Sequence, residues 1–389
     1  MDGLSQASMI PSSLEKQLIA ALKLREVRQI RRVLPPSADT ALVDFSSNDY
    51  LSLSKSTELR NRFLEKLGST ERILGSGGSR LLINGSAHVD LEDRLQFFFS
   101  GIGAAQQRGQ TPSSAPTLDA LLFNSGFDAN VGFFACVPQP GDFVVYDEYI
   151  HASVHDGMRM SRAQCAPFQH NSIEDLEKVL RGLKTERPEM FDGNGSVFIA
   201  VEGLYSMDGA IPPLEDIVQL AESAFPKGNA YVSVDEAHST GIYGPNGRGL
   251  VNLLGLQDRV FARLHTFGKA LAGTGGELLC SDPVESPLMY GIAVLLVPPI
   301  VKQYLINYAR TLIYTTSLSY ANIISANCSF DLLESGGADE VRPIFETLTV
   351  YCLANRGVMT AFTPCVGPWR IHGHGPSRSA TTLINTDQT

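Results

Sequence analysis

No apolar run in the 389-residue chain approaches the roughly 20 residues that a membrane-spanning helix needs. The N-terminus also lacks the basic-then-apolar layout of a secretory signal. Cysteine is sparse and scattered, at Cys136, Cys165, Cys280, Cys328, Cys352 and Cys365. With no C-x-x-C pair among them, neither a zinc site nor a disulfide framework is expected. Positive charge is in deficit: 31 Lys and Arg stand against 41 Asp and Glu, a formal net charge of −10. A nucleic-acid or anionic-membrane binder needs a concentrated basic surface, so neither is expected. Three catalytic signatures are missing as well: the G-x-S-x-G elbow, the H-E-x-x-H zinc helix and the P-loop. These absences lead to the expectation of an intracellular protein, cytoplasmic or organellar, that binds no metal.

What is present is material for a large core. Hydrophobic residues make up 43% of the chain and charged residues 19%, a length and composition suited to a large domain with a smaller partner. Ser12-Ser13-Leu14-Glu15 has the spacing of a capping box and predicts a helix start. Apolar residues then recur at helical spacing toward Pro35-Pro36, with a basic face at Arg25, Arg28, Arg31 and Arg32. From about Val43 the pattern becomes short β-rich runs alternating with helical ones, which predicts an α/β fold. The expected strands are Ala120–Phe123, Phe143–Tyr146, Val197–Val201, Tyr231–Val234 and Val260–Leu264, with helices over Ile173–Leu183 and Leu214–Ala224. Gly101–Pro116 reads as a surface loop, and the sequence carries no internal repeat. The expected division is an N-terminal helix and arm over 1–42, a large domain over 43–283 and a smaller unit over 284–389. That smaller unit opens with a helix over Val301–Leu312, and its polar, aperiodic tail over 364–389 is expected to be poorly ordered.

Each expected strand is followed by residues that a plain turn does not require. Asn124-Ser125-Gly126-Phe127 follows the first, Asp147 and His151 the second, and Glu202 and Ser206 the third; Asp235 and His238 follow the fourth, Thr266 and Lys269 the fifth. In an open parallel sheet the carboxyl ends of the strands share one edge, where ligands bind. Any one of these residues alone is more often structural, but five in phase point to a site. A lysine followed by Ala270, Ala272, Gly273, Gly275 and Gly276 sits where backbone approaches something closely, as phosphate ligand or Schiff-base nucleophile. Its companions favour the second role. An aspartate can hold a pyridinium nitrogen protonated, a histidine can stack on a ring, and a glycine at a helix start offers N–H groups to a phosphate.

Two local patterns compete. Asp235-Glu236-Ala237-His238 spells a helicase signature, but the only comparable Gly-Lys pair is followed by Ala270 rather than Ser or Thr. His151 and His155 have i, i+4 spacing without the Glu that a zinc helix carries.

Taken together, several stretches resemble the α-oxoamine synthases, pyridoxal-phosphate enzymes of fold type I. They are Phe45-Ser46-Ser47-Asn48-Asp49-Tyr50-Leu51, Gly75-Ser76-Gly77-Gly78-Ser79-Arg80, His151-Ala152-Ser153 and Glu202-Gly203-Leu204-Tyr205-Ser206-Met207-Asp208-Gly209. Val234 to His238, Gly247-Arg248-Gly249, Thr266 to Ala270 and Ile313-Tyr314-Thr315-Thr316-Ser317 complete the set, in the family's order. The resemblance implies a large domain with a mostly parallel central sheet flanked by helices, a smaller C-terminal domain that is here shortened, and a homodimer. It implies pyridoxal 5'-phosphate held as a Schiff base on Lys269, with Asp235 at the ring nitrogen, His238 at the phenolic oxygen and His151 on the ring face. Gly126, Phe127, Ser206 and Thr266 become cofactor contacts, and Thr316 reaches the phosphate of a neighbouring subunit. Asn48 and Glu202 shape the substrate side, one of Arg31 and Arg32 meets the acyl substrate, and Arg370 echoes the family's carboxylate-binding arginine. The implied reaction joins L-alanine to a pimeloyl thioester of coenzyme A or acyl carrier protein, with loss of CO2, in biotin synthesis. Sister activities with other acyl donors or amino acids, and a non-catalytic relative that keeps the fold, are the competing readings.

Overall fold

The computed structural model describes residues 12–33, 47–101, 117–273 and 291–339. The chain divides into two units; of the described residues, 12–33 fall in one and all the others in the second. The tail over 364–389 and Arg370 lie outside the described residues.

In the first unit, helix α1 spans Ser13–Val27. Its capping box is formed as the sequence predicts: Ser12 Oγ accepts the Glu15 N–H, and Glu15 Oε2 accepts the Ser12 N–H at 2.6 Å. The helix stops well before Pro35-Pro36, because Gln29 adopts a left-handed φ of 58° that an α-helix cannot contain.

The second unit is built on a seven-stranded sheet. Its strands are β1 (Asp119–Phe123), β2 (Phe143–Asp147), β3 (Gln164–Phe168), β4 (Val197–Glu202), β5 (Ala230–Asp235), β6 (Ala262–Thr266) and β7 (Ala293–Val297), in the order β1-β7-β6-β5-β4-β2-β3. The five strands expected from the sequence are all present, the last shifted by two residues. Pairing is parallel from β3 through β6, whereas β7 runs antiparallel to both β6 and β1. Since β1 and β6 both oppose β7, they run the same way, and the five expected strands keep their carboxyl ends on one edge.

Two expectations change here. The fully buried run Ala293-Val294-Leu295-Leu296-Val297 lies beyond the boundary expected at 283, yet it is an inner strand of the sheet. An apolar run of this kind needs cover on both faces and finds it only inside the sheet. Strand β3 was not expected: it carries Pro167 and is mostly exposed, and an edge position tolerates the missing N–H.

The longer helices are α2 (Thr57–Ser69), α3 (Ser86–Ser100), α4 (Gly126–Cys136), α5 (Ala152–Met160), α6 (Ile173–Glu186), α7 (Leu214–Ala224), α8 (Pro299–Tyr308) and α9 (Tyr320–Glu334). Strand side chains divide between the two faces with period two. Leu121, Phe123, Phe198, Ala200, Leu264 and Leu295 pack with residues of α4, α5 and α8. Val197, Ile199, Val201, Val232 and Val234 pack with α6 and α7, while Leu122, Val294 and Leu296 pack with α3 and α9. A sheet buried on both faces holds its edge rigidly, and that edge carries the polar residues.

Candidate active site

Beyond Thr266 the chain turns through buried Phe267, whose N–H donates to the Ile292 carbonyl at 2.7 Å, and presents Lys269. Lys269 Nζ lies 2.6 Å from His238 Nε2, and His238 Nδ1 lies 2.7 Å from the Tyr50 hydroxyl. Burial, then the charge of Glu202, raises the Tyr50 phenol above its ordinary value, so it remains a neutral O–H. That hydroxyl donates to Asn48 Oδ1 at 3.1 Å. The Tyr50 oxygen then accepts the His238 Nδ1–H, which leaves Nε2 as the acceptor facing Lys269. Burial, then the charges of Lys269 and His151, holds the His238 imidazole well below its ordinary value, in the neutral form. Lys269 itself is lowered by burial, with Asp235 and Glu202 acting in the opposite direction. The result is a lysine with access to its unprotonated, nucleophilic state.

Glu202 and Asp235 end adjacent parallel strands and are partners in register, so both carboxyl groups project from the same face. Burial first, and the Asp235 charge second, push the Glu202 carboxyl well above its ordinary value, toward the protonated form. Asp235 is held from both sides: Oδ1 accepts the Ala237 N–H at 2.9 Å and Oδ2 accepts Asn130 Nδ2–H at 2.7 Å. His151 caps α5, its Nδ1 accepting the Ser153 N–H at 3.2 Å and lying 2.7 Å from Ser153 Oγ. Phe127 meets the His151 ring edge to face, with centroids 6.4 Å apart.

The N-terminus of α4 closes the arrangement. Ser125 caps it, accepting the Asp128 N–H at 2.9 Å, and first-turn amides of a helix have no carbonyl partner within it. A Cβ on Gly126 would stand 2.4 Å from Thr266 Cγ2, so this helix start approaches the end of β6 as only glycine permits. An amine, a paired carboxylate, a neutral imidazole and a glycine-lined helix N-terminus form the donor set that pyridoxal phosphate requires for its aldehyde, ring nitrogen, phenolic oxygen and phosphate. The residues fit the group.

The structure therefore brings Lys269, His238, Asp235, Glu202, His151, Phe127, Gly126, Thr266 and Asn48 to one place. Ser206 is exposed, and Thr316 is exposed with its carbonyl accepting from Asn124 Nδ2 at 2.7 Å. Arg31, in the other unit beside Arg32, pairs with Glu26 at 3.0 Å. Three residues given no role by sequence reasoning belong to the site: Tyr50, Asn130 and Ser153. Tyr50 and Ser153 stood inside family-like stretches. Asn130 had no local signal beyond lying one turn after Gly126. The helicase-like tetrad is split by the fold: Glu236 turns away from Asp235 and His238 and accepts the Leu250 and Val251 N–H groups, each at 2.8 Å. It caps the one-turn helix Leu250–Leu253 and has a structural role.

Among the described residues no group of three or more His, Cys, Asp and Glu is placed to hold a metal, and no helix is long and apolar enough to cross a membrane.

Residues 40–336 match the family model of class I and II aminotransferases. The chain is 43% identical to an 8-amino-7-oxononanoate synthase of Emericella nidulans, over 85% of this chain and 73% of that protein. It is 34% identical to the aminoacyl transferase sphA of Aspergillus fumigatus, over 79% of this chain but only 59% of that longer protein. In three dimensions it resembles a serine palmitoyltransferase from S. paucimobilis with a bound PLP–myriocin aldimine. The TM-score is 0.61 at 25% identity, covering 83% of this chain and 75% of that one. The chain belongs to the class I and II aminotransferase family, and within it to the pyridoxal-phosphate-dependent α-oxoamine synthases, enzymes that transfer acyl groups.

Proposed function

We propose that the chain condenses L-alanine with a pimeloyl thioester of coenzyme A or acyl carrier protein. The products are 8-amino-7-oxononanoate, CO2 and the free thiol, and the reaction is a step of biotin synthesis. The observation that carries this reading is the buried Lys269–His238–Tyr50 chain beside the Asp235–Glu202 pair, in a chain 43% identical to a synthase of that name.

When bound, pyridoxal phosphate supplies a conjugated electron sink for the pair released at the alanine α-carbon. In this reading Lys269 Nζ receives the cofactor aldehyde, and Asp235 meets the ring nitrogen. His151 covers one ring face and His238 meets the phenolic oxygen. The amides of Gly126 and Phe127 would meet the cofactor, with the Thr266 hydroxyl near its phosphate and Ser206 as a further cofactor contact, and Thr316 would serve the site of a second copy in a homodimer. Unprotonated Lys269 takes the proton from the alanine α-carbon, a role that burial favours by lowering its basicity. A new bond forms between that carbon and the thioester carbonyl carbon, the C–S bond breaks and the departing thiolate takes a proton from solvent. The bond to the carboxylate then breaks as CO2 leaves, and the carbon that keeps its electron pair takes back the proton held on Lys269. Asn48 and Glu202 line the substrate side. Arg31 or Arg32 meets the acyl chain, and Arg370 meets the amino-acid carboxylate.

The likeness to sphA favours a second reading, in which the same residues serve a different amino acid and acyl donor. Release of free thiol with alanine and pimeloyl-CoA, compared with glycine or serine and succinyl- or palmitoyl-CoA, separates the two. Alanine with the pimeloyl donor is expected to be fastest. Faster turnover of glycine, serine or a long acyl chain would assign the chain to the sister activity.

A further inference from the structure

One side chain ties the two groups assigned to the cofactor ring to each other. Asn130 Nδ2 lies 2.7 Å from Asp235 Oδ2 and 2.9 Å from Ser153 Oγ, and Ser153 Oγ lies 2.7 Å from His151 Nδ1. Asn130 is 5% exposed, and Asp235 and Ser153 are buried. The polarity of this chain is determined by what each atom can do. A carboxylate oxygen accepts, so the amide nitrogen faces it and gives one hydrogen to Asp235 and the other to Ser153. The Ser153 oxygen, having accepted, turns its own hydrogen toward His151 Nδ1. That nitrogen also accepts the Ser153 N–H at 3.2 Å, so the imidazole proton resides on Nε2.

Packing places these atoms together. Asn130 lies on α4 and Ser153 on α5, and the two helices approach closely because Gly157 has no side chain. A Cβ there would stand 2.7 Å from Phe134 Cβ and 3.1 Å from the Asn130 carbonyl. Gly157 and Ser153 share one face of α5, four residues apart, as Phe134 and Asn130 share one face of α4.

We propose that Asn130 is a positioning residue for the condensation: it orients the Asp235 carboxylate and, through Ser153, selects the Nε2–H tautomer of His151. This rests on the assignment of Asp235 and His151 to the cofactor ring. It adds a coupling, because a change at Asn130 removes the bond to Asp235 as well as the link to His151, whereas a change at Ser153 leaves the Asn130–Asp235 bond in place and acts first on His151.

The test uses the full chain, with pyridoxal phosphate titrated by visible absorbance and the histidines labelled with 15N. The His151 signal is identified by its loss in His151→Gln. In Asn130→Leu the cofactor dissociation constant is expected to rise about tenfold to hundredfold, the scale of a lost hydrogen bond to a charged group. The His151 signals move away from the Nε2–H pattern in the same variant. In Ser153→Ala, which keeps the Asn130–Asp235 bond, the His151 signals move while the cofactor dissociation constant rises by less than in the Asn130 variant. Asn130→Asp, of equal volume and unable to donate to Asp235 as a carboxylate, replaces the leucine variant should that one not fold. Wild-type affinity and wild-type His151 signals in the Asn130 variant would overturn the proposal, as would a Ser153→Ala protein that loses cofactor like the Asn130 variant. A wild-type protein that takes up no cofactor would instead overturn the assignment on which it rests.

Discussion

Lys269, Asp235 and His238 owe their chemistry to water being kept away from them. Lysine loses basicity on burial and histidine stays neutral, because the charged form of each is the one that desolvation penalises. Both Asp235 oxygens are engaged, one by the Ala237 N–H and the other by Asn130 Nδ2–H. In Asp235→Asn the cofactor should still bind while turnover falls on the order of 100-fold or more, since a neutral amide cannot keep the ring nitrogen protonated. Near-normal turnover in that variant would remove Asp235 from its role. His265 offers a test of burial away from the site. It is fully buried, stacks on Phe99 with ring centroids 3.7 Å apart and meets Thr240 Oγ1 at 2.9 Å. Burial, then the Arg263 charge, holds it well below the ordinary histidine value. The unfolded chain therefore binds a proton that the native state refuses. The associated stability is present above pH of about 6.5 and is lost as pH falls toward the folded value. Thermal unfolding at pH 7.5 and 5.5 should show a larger acid-induced drop in Tm for wild type than for His265→Gln. Equal drops would show that His265 contributes nothing to acid sensitivity.

At the scale of elements, the approach of α4 to β6 sets the width of the end of the site proposed for the phosphate. Gly126→Ala places a methyl 2.4 Å from Thr266 Cγ2. Overpacking of this kind costs about 1–3 kcal/mol, and it displaces the helix start from the strand end. Cofactor affinity should fall, and Gly126→Ala with Thr266→Ser should recover much of it, because serine keeps the hydroxyl and removes the obstructing carbon. Titration of the single and double variants measures the coupling between the two positions. A double variant as weak as Gly126→Ala alone would place the obstruction elsewhere. Element identity was largely legible beforehand. Short β-rich runs marked β1, β2, β4, β5 and β6, and Ser12 with Glu15 marked the start of α1. Strand β7 was not expected, since neither its direction nor its neighbours in the sheet are written in local pattern. The Pro167-bearing strand β3 was hidden because an exposed edge strand need not carry the apolar run that marks a buried one.

For the whole molecule, the homodimer included in the proposed function has a surface to account for. Leu74 and Leu82 are each 78% exposed and Tyr314 is 71% exposed. Their segments are joined, the Tyr320 N–H donating to the Leu74 carbonyl at 3.1 Å and the Ser317 N–H to the Gly78 carbonyl at 2.9 Å. Exposed large apolar side chains on neighbouring segments are candidates for burial against a second copy. Sedimentation should find two copies associated in wild type and single copies in a Leu74→Asp, Leu82→Asp variant. A variant that still sediments as a pair would place the interface elsewhere. By itself the sequence determined the α/β alternation, the strand ends that carry chemistry, and the candidacy of Lys269, Asp235 and His238. All of these depend on residue type and spacing within a few positions. Only the tertiary structure decided that Glu236 caps a helix while its neighbours face the site, that β7 lies inside the sheet, and that Tyr50 meets His238 across 188 residues and Asn130 meets Asp235 across 105. Such contacts form between elements distant in the chain, and packing rather than local pattern selects them.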